Sequence, residues 1–245
     1  MHKRGLFLLA ILILFPLSAN AISLGQAINL AILNKSDQSV QTIEITLSVS
    51  KKYYNYFLTY NNFQLLSNLQ KKLDKRNKAM DSLIQSGLRS KDDLLAMQVY
   101  TLENQRKVDL AQVQYLDAKI ELMNEIGVYD EKLVTPPEKQ AFSLKNLEEL
   151  RPVEEVIADS EDLATITYVK SLADKIAIYK KSIQKADELL SLQKKLYENE
   201  QKRFNEGLIS VAELQLQDEK YIEAENSHYQ LLVSYLISVL EYKNY

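Results

Sequence analysis

The 245-residue chain has no cysteine, no tryptophan, two histidines, five glycines and four prolines. Without cysteine there is no disulfide framework, no thiolate nucleophile and no zinc site built on sulfur. The glycines stand at positions 5, 25, 87, 127 and 207, so no two fall close enough for a phosphate-cradling loop or a dinucleotide-binding turn. Thirty Lys and Arg face 33 Asp and Glu, which leaves no cationic excess for a nucleic-acid backbone. Catalysis finds no constellation either. His228 is the one histidine outside the first residues and sits mid-helix, far from any glycine elbow, so a serine hydrolase has no base. Its place on an apolar seam points to a packed imidazole rather than a metal ligand. The chain reads as a non-enzyme, with no cofactor and no metal site.

What is present begins with a leader. Lys3 and Arg4 precede an apolar run from Leu6 to Leu17, and Ala19-Asn20-Ala21 gives the small-x-small pattern of a signal peptidase site, with cleavage expected before Ile22. The run is about a dozen residues and holds Pro16, whereas a spanning helix needs about 20 apolar residues. No cysteine follows it, so it is not a lipoprotein leader. Residues 1–21 are therefore expected to be a signal peptide and the product to be exported to the periplasm, with outer-membrane association left open.

Scarce glycine and proline also organise the rest. From Gln26 to Thr135 only Gly87 and Gly127 interrupt, and from Val153 to Tyr245 only Gly207. The spacing predicts an all-α fold of long antiparallel coiled-coil hairpins in two tandem repeats, 22–134 with a turn at 86–90 and 163–245 with a turn at 206–210, joined by a proline-bearing acidic linker at 135–162. Val169, Leu172, Ile176, Tyr179, Ile183, Ala186 and Leu190 recur in steps of three and four. Heptads run through Leu94, Thr101, Val108, Tyr115 and Leu122, and through Leu214, Tyr221, His228, Tyr235 and Tyr242.

The arms are copies. A shift of 120 residues superposes Gly87-Leu88 on Gly207-Leu208, Ser90 on Ser210, Asp93 on Glu213, Leu94 on Leu214, and Tyr115-Leu116 on Tyr235-Leu236. In each turn glycine ends one helix in the left-handed conformation, and a serine three residues before an acid starts the next as a capping box. Thr101 and Asn104 break the first seam, as residues on a water-filled interior or a solvated flank would. Residues 43–50 alternate apolar and polar and so carry a strand signal. Val40, Ile43, Leu47 and Tyr54 give the same stretch a helical reading, which is preferred because no partner strand follows. The aromatic run Tyr53 to Phe63 has helical spacing and reads as seam packing.

These residues resemble the outer membrane efflux protein family, the TolC-like exit ducts of multidrug pumps and type I secretion. Ile22 to Asn34 looks like the family's opening Leu-x-x-Ala-x-x-x-Ala-x-x-Asn helix, and Gly87-Leu88-Arg89-Ser90 and Gly207-Leu208-Ile209-Ser210 look like its duplicated periplasmic turn. The resemblance implies a non-catalytic component of transmembrane export acting through a periplasmic helical tunnel. It also implies a homo-oligomer (a trimer) or association with a complete duct, and contact with the periplasmic adaptor of a pump. The implied partner-binding residues are the hairpin tips: Gly87, Leu88, Ser90, Asp93 and Leu94, with Gly207, Leu208, Ser210, Glu213 and Leu214. The family also inserts a β-hairpin into each half. The stretches from Asn34 to Gly87 and from Gly127 to Gly207 are too short for two long helices plus membrane strands of roughly 9–11 residues, so the barrel is expected to be missing. A periplasmic coiled coil of structural or chaperone-like role, with no part in transport, is the alternative.

Overall fold

The computed structural model describes residues 22–35, 42–132, 134–136, 139, 150–158 and 160–245. The leader at 1–21, and with it the cleavage site, lies outside the described residues. Among the described residues there are six helices in order: α1 Leu24–Lys35, α2 Thr42–Gln85, α3 Lys91–Ile126, α4 Val153–Val156, α5 Leu163–Asn205 and α6 Val211–Lys243. Among the described residues there is no strand, and no helix is long and apolar enough to cross a membrane.

The ambiguous segment 43–50 is helix. Ile45 and Val49 are buried one turn apart and continue into Tyr53 and Tyr56, so the helical register places a whole apolar face in the core. Thr46 and Ser50 remain compatible because each hydroxyl donates back to the carbonyl four residues earlier, at 2.8 and 2.7 Å. The aromatic run packs as the spacing suggests. Tyr56 and Phe63 stack on Tyr115 of α3, and Phe57 meets Tyr229 of α6 edge-on.

Helices α2 and α3 form one antiparallel hairpin and α5 and α6 the other. Across the two, α2 packs on α6 most extensively and α3 reaches α6 at fewer points, which leaves α3 and α5 on the two flanks. Both hairpins turn at the same end, hereafter the tip. At the other end α1 docks on α2 and α3 through Ala27 and Ala31, started by a Ser23–Gln26 capping box and tied by Tyr53, whose hydroxyl donates to the Ile22 carbonyl at 3.0 Å. Glu125 is buried there, and Lys35, Lys52 and Ser48 close on it. Burial opposes its ionisation, but the hydrogen bonds from these three outweigh burial and hold its pKa down at about 2. Of the acidic linker, Glu154 and Glu155 lie in the first turn of α4, and Asp162 caps α5 by accepting from the Ala164 and Thr165 amides, each at 3.1 Å.

The apolar core is not uniform along the bundle. A large cluster fills the α1 end, a second sits at the tip, and a small one of Leu66, Val108 and Ala111 lies between. In that middle zone Thr101 and Asn104 are buried, contrary to the expectation of a lumen or solvated flank. Thr101 accepts from Asn77 at 2.6 Å, and Asn104 donates to the Leu66 carbonyl and to Gln70 at 3.2 and 2.8 Å. Polar residues enter the seam because each finds a partner across it. His228 is a packed imidazole, with Tyr229 edge-on at 5.0 Å and Asp187 at 3.1 Å.

Candidate interaction site at the hairpin tips

The tip is built twice by the same local rules. Helix α2 runs out at Ser86, and Gly87 adopts φ +74°; α5 runs out at Glu206, and Gly207 adopts φ +78°. In both, the amide of the following leucine bonds back to a carbonyl of the last helical turn at 2.9 Å, Leu88 to Leu83 and Leu208 to Arg203. The outgoing helices then start on full capping boxes. Ser90 accepts from the Asp93 amide at 3.1 Å while Asp93 accepts from the Ser90 amide at 2.9 Å; Ser210 and Glu213 repeat this at 3.2 and 2.8 Å. The hydrogen bonds to Ser210 depress the Glu213 pKa.

The ten tip residues divide by what they expose. Leu88 is 46% exposed and Leu208 63%, so two large apolar side chains stand in water at the end of the bundle. Gly87, Gly207, Ser90, Ser210 and Glu213 are exposed beside them, and Asp93 is half-buried. Leu94 packs partly against the tip core, and Leu214 has no exposed surface at all, so it supports the platform from behind.

The two turns touch each other. A Cβ added at Gly207 would lie 3.1 Å from the carbonyl oxygen of Leu88. Arg89 then crosses from the first turn to the second. It donates to the Ile209 carbonyl at 2.7 Å and to the Phe204 carbonyl, while its guanidinium lies 3.9 Å over the Phe204 ring. Arg89 is buried, and that burial lowers its pKa from the usual arginine value. This residue was missed in the sequence. The available signal was an asymmetry in the repeat: Gly-Leu-Arg-Ser in one copy against Gly-Leu-Ile-Ser in the other, and it is the odd arginine that binds the carbonyl of its own counterpart.

A second tie lies deeper. Asp218 of α6 is completely buried and accepts from Arg76 of α2 at 3.1 Å and from the Tyr100 hydroxyl of α3 at 3.0 Å. Burial raises its pKa, opposed by Arg76, Tyr100 and Lys72. Beside this tie an open groove of about 690 Å³ separates α3 from α6, with the buried Asn104 and Leu66 beneath its floor and the Lys107–Glu219 ion pair, 2.8 Å, across it. Among the described residues no group of three His, Cys, Asp or Glu is arranged to hold a metal ion.

No family model matches the sequence, and no curated protein does. Solved structures do match in fold. The chain superposes on the Campylobacter jejuni CmeC outer membrane channel with a TM-score of 0.62 at 11% identity, over 89% of this chain and 64% of that one. A membrane protein from Pseudomonas aeruginosa gives 0.66 at 10% identity, over 89% and 72%. CusC, solved in a study of folding and transmembrane channel formation, gives 0.66 at 10% identity, over 90% and 72%. The chain thus spans just under two thirds of the CmeC chain. Its all-α hairpin architecture is that of the helical tunnel of TolC-like outer membrane channels.

Proposed function

We propose that this protein is a non-catalytic component of efflux or type I secretion, supplying a periplasmic helical tunnel segment of a TolC-like duct. The observation that carries the reading is the paired tip: two duplicated turns, locked together by Arg89, that present Leu88 and Leu208 to solvent on a fold shared with outer membrane channels. Residues that only closed a hairpin would not need to hold two exposed leucines side by side. Their partner is the periplasmic adaptor of a pump, which meets them end-on. The chain acts as a homo-oligomer, a trimer, or alongside a complete duct. The exposed apolar stripes on α3 and α5 support association with further copies.

Photocrosslinking in the native cell tests the tip. A crosslinkable residue at Leu88 or Leu208 should capture an adaptor, whereas one at the exposed Glu154 on α4 should not. A crosslinker at Leu88 should capture less when Leu208 is replaced by Ser, and one at Leu208 less when Leu88 is, with the unfolding midpoint unchanged. Equal capture from all three positions, or none from the tips, would overturn the proposal and favour the free-standing coiled coil, in which the self-satisfied Ser90 and Ser210 caps are the whole purpose of the turns.

A further inference from the structure

The tyrosines of the chain divide by place. Most are buried or half-buried along the bundle, and three are exposed: Tyr129 at 74%, Tyr168 at 44% and Tyr245 at 47%. All three stand at the α1 end. Tyr129 follows the last turn of α3, Tyr168 lies in the second turn of α5, and Tyr245 follows α6. Leu163, 77% exposed, and Ile43, 43% exposed, join them from the first turns of α5 and α2. By the helical rise these five residues fall within about 15 Å of that end, on a bundle about 65 Å long. Away from it, every exposed large apolar residue among the described residues is Leu, Ile or Val.

Exposed tyrosine with aliphatic residues beside it fits a boundary that is apolar on one side and wet on the other, because the ring enters the apolar side while the hydroxyl keeps its hydrogen bonds. The distribution favours a flat, yielding surface over a protein partner. Tyr129 belongs to the α3 flank and Tyr168 to the α5 flank, so the residues cross the whole end and share no helix face; Tyr168 and Tyr245 touch, with ring centroids 5.7 Å apart. A protein partner needs one continuous patch, whereas a bilayer interface takes scattered anchors. Charge selects the kind of bilayer. Asp130, Glu131, Glu154, Glu155, Glu161 and Asp162 are exposed here, with Lys132, Arg151, Lys170 and Lys243 interspersed, so there is no basic cluster to hold anionic headgroups. Among the described residues no helix is long and apolar enough to cross a membrane, so the contact these side chains make is peripheral.

We infer that the α1 end rests on the headgroup layer of a zwitterionic phospholipid bilayer, with Tyr129, Tyr168, Tyr245, Leu163 and Ile43 as its anchors and the tips pointing away. Apolar burial and tyrosine hydrogen bonds to headgroup oxygens hold it there. The inference rests on the reading above only for which bilayer the end meets, the periplasmic face of the outer membrane.

Because the chain has no tryptophan, a single added indole reports its own site. In the processed chain that begins at Ile22, Tyr129→Trp, Tyr168→Trp and, at the tip, Leu208→Trp are each titrated with phosphatidylcholine vesicles, plain and brominated near the headgroup end of the acyl chain. Emission should shift to the blue and be quenched by the brominated lipid for the first two and not for the third, equally at low and high salt. Leu163→Ser with Tyr245→Ser should lower the vesicle affinity of Tyr129→Trp about tenfold, with circular dichroism unchanged. No shift at either tyrosine position, an equal shift at the tip, or binding that appears only on anionic vesicles and fades with salt would overturn the inference. So would a blue shift that follows protein concentration without vesicles, which would give this end to a second copy. The vesicle result is independent of adaptor capture at Leu88 and Leu208, so either reading can fail alone.

Discussion

Removing the Arg89 guanidinium isolates what joins the two hairpins at the tip. In the wild type this group makes two charge-assisted hydrogen bonds to carbonyls of the second turn and stacks on Phe204, which is 1% exposed. A hydrogen bond to a charged group contributes about 1.5–3 kcal/mol net, and a desolvated cation–π contact about 2 kcal/mol. Against these stands the cost of burying the guanidinium, which is visible in its lowered pKa. Arg89→Ala should therefore destabilise the chain by about 2–4 kcal/mol. For a protein of this size that is a fall in Tm on the order of 10 °C. Arg89→Lys should recover less than half, because an ammonium cannot lie flat on the Phe204 ring while donating to two carbonyls in different directions. Urea denaturation followed by circular dichroism gives the free energies, and hydrogen exchange at the amides of Gly207 and Leu208 locates the loosening. If Arg89→Ala cost less than about 0.5 kcal/mol with no change in exchange at the second turn, the tips would not be held together by this residue and the paired platform would lose its cause.

Two further outcomes follow from the same geometry. Gly87→Ala and Gly207→Ala both place a Cβ on left-handed backbone at about 1–2 kcal/mol each. Only Gly207 then meets a backbone oxygen, at 3.1 Å, with open space around Gly87, so thermal melts should rank Gly207→Ala clearly below Gly87→Ala. The pKa of Glu125 near 2 lies below its unfolded value of about 4.5, so its contribution is complete above pH 4.5 and disappears as pH falls toward 2. Lys35 and Lys52 are 27% and 35% exposed, and screening holds the amount to about 1–2 kcal/mol. A urea titration across this range should show that slope in wild type and its loss in Glu125→Gln.

The helices and both turns were legible because the determinants are local. Glycine at 87 and 207, serine at 90 and 210, and acids at 93 and 213 each act within one turn of helix, and each does what its position implies. The buried seam could be read for the same reason, since periodicity names a face before it names a partner. What faces what was not legible. Thr101 and Asn104 suggested a wet surface because a polar residue in a seam is costly, yet the partners that reduce the cost, Asn77 and Gln70, lie on another helix. Arg89 is the same case at longer range: its acceptors are backbone carbonyls 115 and 120 residues away, which no side-chain pattern displays. The exposed apolar stripe of α3 was present in the sequence too, but a helix with two apolar faces looks merely hydrophobic until the structure shows which one the hairpin uses.

The distribution of forces along the bundle bears on how such a segment could work. At the α1 end the two hairpins share a large apolar cluster with α1 folded against it, and apolar contact changes little with small shifts in angle. At the tip the apolar cluster is smaller, and the inter-hairpin ties are directional: Arg89 to two carbonyls, and Asp218 to Arg76 and Tyr100. Hydrogen bonds of this kind hold one geometry and weaken steeply when their angles change. Between the two zones the α3–α6 groove removes packing, so little apolar contact carries a displacement from the tip to the α1 end. A bundle made in this way is rigid where it is anchored and keeps a fixed arrangement at the tips through a few named groups. It therefore gives the partner proposed for the tips a defined surface to recognise, and places the effect of losing Arg89 in the half of the molecule that carries both turns.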